Sequence, residues 1–275
     1  MTNQPISLSS RCVYKATGND VVSFLNRVLT CRLDNMADPD CRFGALLTPQ
    51  GKILTDLFVF RKADVFWLDL PVSTAQDTIK RLTMLKLRAD VTFEVAPEKT
   101  VVTAKSAFPL QASEDLFVPD PRSPEHLFRG ICTDETITAG ESVWTSLRIQ
   151  FALPECGLDY EPATAFPADV NMDLLNGVDF KKGCFVGQEV VSRMKRKTTV
   201  RKRTIIATGP TGVSPNDELV SGESKLGEVL CWFGDAGLVL TRLDRLSAVN
   251  GELRPVEING QTANIQIPDV VRDSI

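Results

Sequence analysis

The sequence predicts an α+β body followed by a small closed β-structure, and two observations carry that expectation. Up to about residue 200, segments with strand alternation and segments with helical spacing follow one another in blocks. Block order of this kind favours α+β over a doubly wound sheet. From Arg201 onward, short apolar runs are separated by Gly, Pro, Asn and Asp at intervals that suit a small barrel. A length of 275 residues agrees with about two domains, which we place at residues 1–200 and 201–275.

The elements follow in order. Thr17-Gly-Asn-Asp20 precedes Val21, Val22, Phe24, Leu25, Val28 and Leu29, the spacing of an amphipathic helix capped by Asn19 or Asp20. Two apolar runs, at 45–48 and 53–60, flank Pro49-Gln-Gly-Lys52 and form a β-hairpin, and residues 65–70 add a third strand. Ser73 or Thr74 is expected to cap a helix with Ile79, Leu82, Leu85 and Leu87 as its apolar positions, and residues 91–95 are strand again. Residues 105–140, rich in Pro, Asp and Glu, read as loops and short strands on the outside. A helix over 141–152 is stopped by Pro154. The barrel strands are expected at 204–207, 228–232, 237–240, 256–258 and 263–267.

Composition narrows the chemistry. Hydrophobic content of 43% supports a real core, and a net charge of −4 gives no global attraction for nucleic acid or acidic membranes. The N-terminus lacks the basic start and apolar run of a secretory signal, and no stretch is long enough to span a membrane, so the expected location is the cytoplasm. Seven cysteines are scattered without regular spacing and no Cys-x-x-Cys pair occurs, so neither a disulfide framework nor a metal held by this chain alone is expected. The single histidine, His126, sits in a turn-rich segment and reads as ordinary surface, which leaves little for a Ser-His-Asp or Cys-His device.

The most informative stretch is Lys182-Gly-Cys-Phe-Val-Gly-Gln-Glu-Val-Val-Ser192. Gly183 and Gly187 are free to take positive φ, which turns the chain sharply around Cys184. Gln188 and Glu189 then open a helix, with Val190, Val191 and Met194 on its buried face. Helix N–H groups pointing at the turn, with Lys181, Lys182 and Arg193, favour a thiolate; such settings lower a thiol from about 8.5 to between about 3.5 and 7.5. The alternative is a buried thiol acting as small apolar filler, the reading adopted for the other six cysteines. Downstream, Arg193, Lys195, Arg196, Lys197, Arg201, Lys202 and Arg203 place seven cations in eleven residues. This run is either a solvated face or an anion site for RNA phosphates or a polyacidic small molecule. Aromatics are not interleaved with it, so base stacking has no support in the segment itself.

Lys182-Gly-Cys-Phe-x-Gly-Gln-Glu-x-x-x-Arg193 resembles the signature of the YgfZ-type folate-binding proteins, relatives of the glycine-cleavage T-protein and of the mitochondrial [4Fe–4S] assembly factor. Phe24-Leu-Asn, the run from Gly44 through Thr48-Pro-Gln-Gly-Lys-Ile-Leu-Thr-Asp56, Trp144-Thr-Ser-Leu-Arg-Ile149, Asn171-Met-Asp and Gly177-Val-Asp-Phe resemble further pieces in the same order. The likeness covers about residues 10 to 250. It implies a T-protein-like multi-domain ring, its first 200 residues forming two intertwined α+β subdomains, with a C-terminal β-barrel. It further implies a tetrahydrofolate or related cofactor, with Asp56, Trp144 and Arg148 at the positions matching folate-contacting residues. A carboxylate for the pterin's polar edge, an aromatic for its ring and an arginine for the glutamate tail form a sensible set. The plainer readings are Asp56 exposed on an alternating strand, Trp144 in the core and Arg148 on a helix surface. Thr55 replaces the first acid of the T-protein Asp-Asp pair, and no Gly-Tyr-Thr-Gly-Glu segment is visible, which sets the chain apart from true aminomethyltransferases. The implied function is assembly or repair of iron–sulfur proteins, tRNA-modifying enzymes among them, with Cys184 reacting and iron–sulfur client or assembly proteins as partners. A folate-dependent one-carbon transferase and an RNA-associated module using residues 193–203 are the alternatives.

Overall fold

The computed structural model describes residues 4–108, 115–123, 125–133, 136–197, 200–246 and 253–272, with the Lys197 side chain outside the described set. Strands β1 (Ile6–Ser7) and β2 (Arg11–Thr17) open the chain. Helix α1 (Val21–Val28) buries Val21, Phe24, Leu25 and Val28, as the spacing requires. Asp20 occupies its cap position, but the carboxylate accepts the Asp90 N–H at 2.8 Å and makes no cap bond. Strands β3 (Asp40–Leu47) and β4 (Ile53–Lys62) form the expected hairpin, and β5 (Val65–Pro71) extends it. Helix α2 (Val72–Leu85) starts ahead of both expected caps and buries Thr74, Ala75, Thr78 and Leu82. Leu85 and Leu87 are exposed instead of buried: past Leu82 the chain turns away, with Leu87 in left-handed backbone at φ 51°. Edge strand β6 (Thr92–Val95) completes an antiparallel sheet in the order β3-β4-β5-β2-β6.

A second sheet follows. Strands β7 (Thr100–Ala104), β8 (Leu116–Pro119) and β9 (Phe128–Cys132) pair in the order β1-β7-β9-β8, so the N-terminal strand is stitched into a sheet built a hundred residues later. The expectation that residues 105–140 form loops and short strands on the outside holds for Phe108, Glu125 and His126, which are exposed, and is overturned for the strand β9 and the turn before it. Leu127 and Ile131 join the hydrophobic core, and Asp120, Arg122 and Arg129 are buried with them because Arg122 pairs with Asp120 and Arg129 with Asp69. Helix α3 (Glu141–Gln150) comes next, and α4 (Gln188–Lys197) ends the body.

The remainder is a closed six-stranded barrel. Its elements are β10 (Lys202–Thr208), β11 (Glu218–Ser221), β12 (Ser224–Phe233), β13 (Ala236–Arg242), the one-turn α5 (Leu243–Leu246), β14 (Val256–Ile258), β15 (Gln261–Gln266) and α6 (Asp269–Arg272). The strand order is β10-β13-β12-β11-β14-β15, closed by β15 returning to β10. Strand β11 was not among the expected strands; its four residues include one fully buried side chain, Leu219. Ile205, Ala207, Leu219, Val229, Val239 and Ile258 fill the interior, where burial at about 25 cal/mol per Å² is the main stabilising term.

Barrel and body are bolted together by the stretch after Phe166. Asn171, held at φ 59°, donates through Nδ2 to the Thr204 carbonyl at 2.7 Å. Thr204 Oγ1 donates to the Asp169 carbonyl at 2.9 Å, and Arg203 Nη2 reaches Asp173 Oδ2 at 3.0 Å. Arg203 is thereby a buried structural group and leaves the basic run counted in the sequence.

Candidate functional site

Two separate arrangements emerge: an exposed thiol on an anchored turn, and a buried cluster of arginines and carboxylates around Trp144.

The turn is built from its neighbours. Thr30 Oγ1 donates to the Gly177 carbonyl at 2.6 Å, and the Thr30 carbonyl accepts the Asp179 N–H at 3.0 Å. The Asp179 carboxylate then takes the N–H groups of Lys181 and Lys182 at 2.7 and 3.1 Å. Lys182 and Phe185 point inward and are buried, while Gly183 and Cys184 between them are exposed. The helix begins at Gln188, directly after Gly187 at φ 81°. Gly187 packs against the hairpin turn: a Cβ there would lie 2.7 Å from the Thr48 carbonyl and 3.0 Å from Gly51 Cα. Gly51 has the matching conformation, φ 82°. Two segments more than a hundred residues apart therefore meet glycine to glycine, which the sequence did not reveal.

Two assignments change. Gly183 does not adopt positive φ, and a Cβ on it would meet nothing within 4 Å, so its glycine is not needed for the turn. Lys182 does not serve the Cys184 thiol. Its ammonium donates to the Leu29 and Cys31 carbonyls at 2.6 and 2.7 Å, and lies 5.4 Å from the Phe185 ring centroid. The thiol that feels its charge is buried Cys31. Burial lowers the Lys182 amine from 10.5 to about 8. A neutral amine still has two N–H groups for those two carbonyls. Because the unfolded chain holds its proton to higher pH, stability should rise between about pH 8 and about pH 10.5. Lys182→Met should lack this rise; equal slopes in urea melts of both proteins over that range would contradict the assignment.

Helix α4 turns one face to a surface cavity of about 470 Å³, lined by Gln188, Glu189, Ser192, Arg193 and Arg196. The motif's Gln-Glu pair and Arg193 thus share a wall. Val191 and Ser192 are the buried residues of the helix, with Val190 and Met194 half-buried beside them.

The second arrangement gathers Asp56, Trp144 and Arg148, and it adds residues the sequence did not single out: Arg11, Asp69, Arg122, Arg129 and Glu155. Arg11 bridges Asp56 at 2.9 Å and Asp69 at 2.6 Å, while Arg129 takes the other oxygen of Asp69 at 2.7 Å. Arg122 pairs with Asp120 and with Glu155, both at 2.9 Å. The Arg122 and Arg129 guanidiniums lie 4.6 and 4.1 Å from the Phe58 ring, and 5.4 and 5.6 Å from that of Trp144. Burial alone would raise the Glu155 carboxyl; the charges of Arg11, Arg122, Arg129 and Arg148 outweigh it and hold the group well below the usual carboxylate range. No local motif marks these residues. They come from distant pieces of chain, Arg11 from β2, Arg122 from the turn after β8 and Arg129 from β9, so no local spacing brings them to notice.

For a folate, the fit is uneven. Asp56 is fully buried and both its oxygens are engaged, Oδ1 by Arg11 and Oδ2 by the Cys156 N–H at 2.6 Å and the Tyr160 hydroxyl at 3.5 Å. Trp144 is fully buried and its indole N–H points at Glu155, 3.4 Å away. Neither offers a free edge in this conformation, and the plain reading of Asp56 as an exposed strand residue is equally excluded. Arg148 is not on the helix surface. It is buried, pairs with Asp159, and its Nε has no partner among the described residues. It also borders a cavity of about 570 Å³ shared with Arg11, Glu141, Glu155 and Cys156. That size suits a small ligand, and the charged lining balances two arginines against two glutamates. Of the trio, Arg148 is the one that borders a cavity. Among the described residues no group of three His, Cys, Asp or Glu could hold a metal ion.

Comparison with known proteins places these features. Residues 201–273 match the CAF17 C-terminal beta-barrel domain. Over 205 residues the chain is 31% identical to the "Iron-sulfur cluster assembly factor IBA57 homolog, mitochondrial" of Mycosarcoma maydis, covering 68% of this chain and 49% of that protein. It is 27% identical to the mouse "Iron-sulfur cluster assembly factor IBA57, mitochondrial", covering 87% of this chain and 77% of the relative. The match to the Mycosarcoma protein thus spans about half of that relative's length. Among solved structures, the glycine cleavage system aminomethyltransferase T of Bartonella henselae superposes with a TM-score of 0.69 at 14% identity, covering 96% of this chain and 84% of that one. The chain has the aminomethyltransferase-like fold with a CAF17-type barrel and is a homologue of the IBA57 assembly factors, which fits a YgfZ-type relative of them.

Proposed function

We propose that this chain acts in the assembly or repair of iron–sulfur proteins by presenting the Cys184 thiol to a partner. The observation that carries the reading is the setting of that thiol. Of seven cysteines, Cys184 alone is exposed, and it stands between two inward anchors, Lys182 and Phe185. The others are buried or half-buried, and burial raises Cys31 to about 11 and Cys231 to about 12. A cluster is cargo here. Iron–sulfur clusters take four protein ligands, so one exposed thiolate supplies a single ligand and the partner supplies the rest. Clients that modify tRNA fall within this reading. The curated relatives are named as mitochondrial, in contrast to the cytoplasmic location expected from the sequence. No helix among the described residues is long and apolar enough to cross a membrane.

Cys184→Ala should lower the activity of [4Fe–4S] enzymes in cells that depend on this protein. Its folding stability should change by no more than about 0.5 kcal/mol, since the side chain is exposed. Undiminished cluster-enzyme activity would remove the thiol from the mechanism.

A second reading, folate binding, is supported by the cavity beside Arg148. Arg148 would hold a carboxylate of the tail, and Glu141 at the rim is already oriented by Ser9 and Ser10, whose hydroxyls donate to it at 2.9 and 3.3 Å. When bound, a tetrahydrofolate supplies a one-carbon unit; this chain's residues bind and orient it. Asp56, tied to Arg11, is not positioned as a base, so one-carbon transfer is the weaker part of that reading. Titration calorimetry with tetrahydrofolate tests it, and absence of saturable heat would end it without touching the Cys184 proposal.

A further inference from the structure

We propose that the cavity where α4 meets the hairpin turn and the start of β10 binds a nucleobase carrying a phosphate, either a free nucleotide or a residue of single-stranded nucleic acid. This site goes beyond the thiol chemistry and does not depend on it. The cavity holds about 400 Å³ and is lined by Lys52, Phe166, Asp169, Met194, Arg201 and Lys202, among others. Pockets of this size accept a mononucleotide.

Three features point to that ligand class. First, the cavity sets an aromatic beside the basic run, which has none of its own: Phe166 shares the lining with Arg201 and Lys202, and Lys52 Nζ lies 5.7 Å from its ring centroid. A flat ring and a cation on one wall match a base and its phosphate, since stacking on an aromatic tolerates any base. Second, the lining carries three cations, Lys52, Arg201 and Lys202, against one carboxylate, Asp169, which Lys52 and Lys202 face, whereas the neighbouring Arg203 is paired directly with Asp173. They give a concentrated positive wall on a chain whose net charge is −4. Third, Asp169 stands in the same cavity. Its Oδ2 accepts the Phe166 N–H at 3.0 Å, leaving Oδ1 without a partner among the described residues. A carboxylate repels phosphate and peptide carboxylate alike but accepts the exocyclic amine of a base, so the lining suits one phosphate joined to an amine-bearing ring better than a run of carboxylates.

The test uses fluorescence polarisation of the full chain with a labelled single-stranded RNA oligonucleotide, competed by adenosine monophosphate and by polyglutamate. The RNA is expected to bind and to weaken steeply between about 50 and about 200 mM salt. Phe166→Leu keeps an apolar side chain but removes the flat face, and should cost about tenfold in affinity with the salt slope unchanged. The double variant Arg201→Ser, Lys202→Ser should reduce that slope by about two. Both variants should keep the wild-type melting temperature. Displacement by adenosine monophosphate would identify a free nucleotide as sufficient; loss of RNA binding in Phe166→Leu without such displacement would identify the polynucleotide. The proposal is overturned if neither RNA nor nucleotide binds at low salt. It is equally overturned if polyglutamate competes as well as RNA and Phe166→Leu binds like wild type, which would mark an acidic-protein face.

Discussion

Glu155→Gln should lower folding stability by about 3–5 kcal/mol, the expected range for breaking a buried ion pair by removing one partner. Glu155 is fully buried, 2.9 Å from Arg122 and within 4.0 Å of Arg11 and Arg129. Glutamine has the same shape and can still meet the Trp144 N–H, so packing is preserved and the charge is what is lost. Three guanidiniums, on side chains no more than 1% exposed, are then left with less compensation. The pH dependence separates this account from a packing defect. The folded-state carboxyl is held well below its ordinary value of about 4.3 by the surrounding arginines, so its contribution is fully present above that value and is lost as pH falls. The gap between wild type and variant should therefore close by about 1.4 kcal/mol per pH unit below about pH 4. Urea unfolding at a series of pH values reads both quantities. A gap that stays constant on acidification would mean that shape, not charge, is responsible. Glu223→Gln, an exposed site, serves as the control and should change stability little.

Gly187→Ala is the second large effect, and Gly183→Ala is its counterpart. At Gly187 the backbone has φ 81°, and the new Cβ would sit 2.7 Å from the Thr48 carbonyl oxygen. Both obstacles are backbone, so neither can swing aside as a flexible side chain would. The combined strain and overpacking is about 2–4 kcal/mol. The start of α4 must shift, carrying the Cys184 turn with it, and client maturation should fall together with stability. At Gly183 the conformation is ordinary and the space is open, so alanine should stay within about 0.5 kcal/mol of wild type. If the two glycines respond alike in thermal melts, the glycine-to-glycine contact with Gly51 is not what holds the turn.

Some elements were legible because their cause is local. The α1 stripe, the first hairpin with its glycine turn, the α3 helix and most barrel strands follow from periodicity and turn chemistry within a dozen residues. The Cys184 turn was legible too, since an exposed thiol before a helix start is written in consecutive residues. Failures cluster where a distant partner decides. Leu85 and Leu87 have helical spacing yet lie outside, because what α2 covers is settled by the sheet beneath it. Lys182 looked like a neighbour of the thiol and is instead spent on carbonyls 151 and 153 positions away. Within the 105–140 stretch, rich in Pro, Asp and Glu and so read as outside, Arg122 and Arg129 are buried because Glu155 and Asp69 meet them there.

The order of amino acids thus determined the layout, α+β body then barrel, and it singled out sulfur 184 as the reactive candidate. Tertiary structure alone decided which charges are solvated and which are paired. A carboxylate or guanidinium carries the same letter in either setting, and only the fold sets whether water or an opposite charge compensates it.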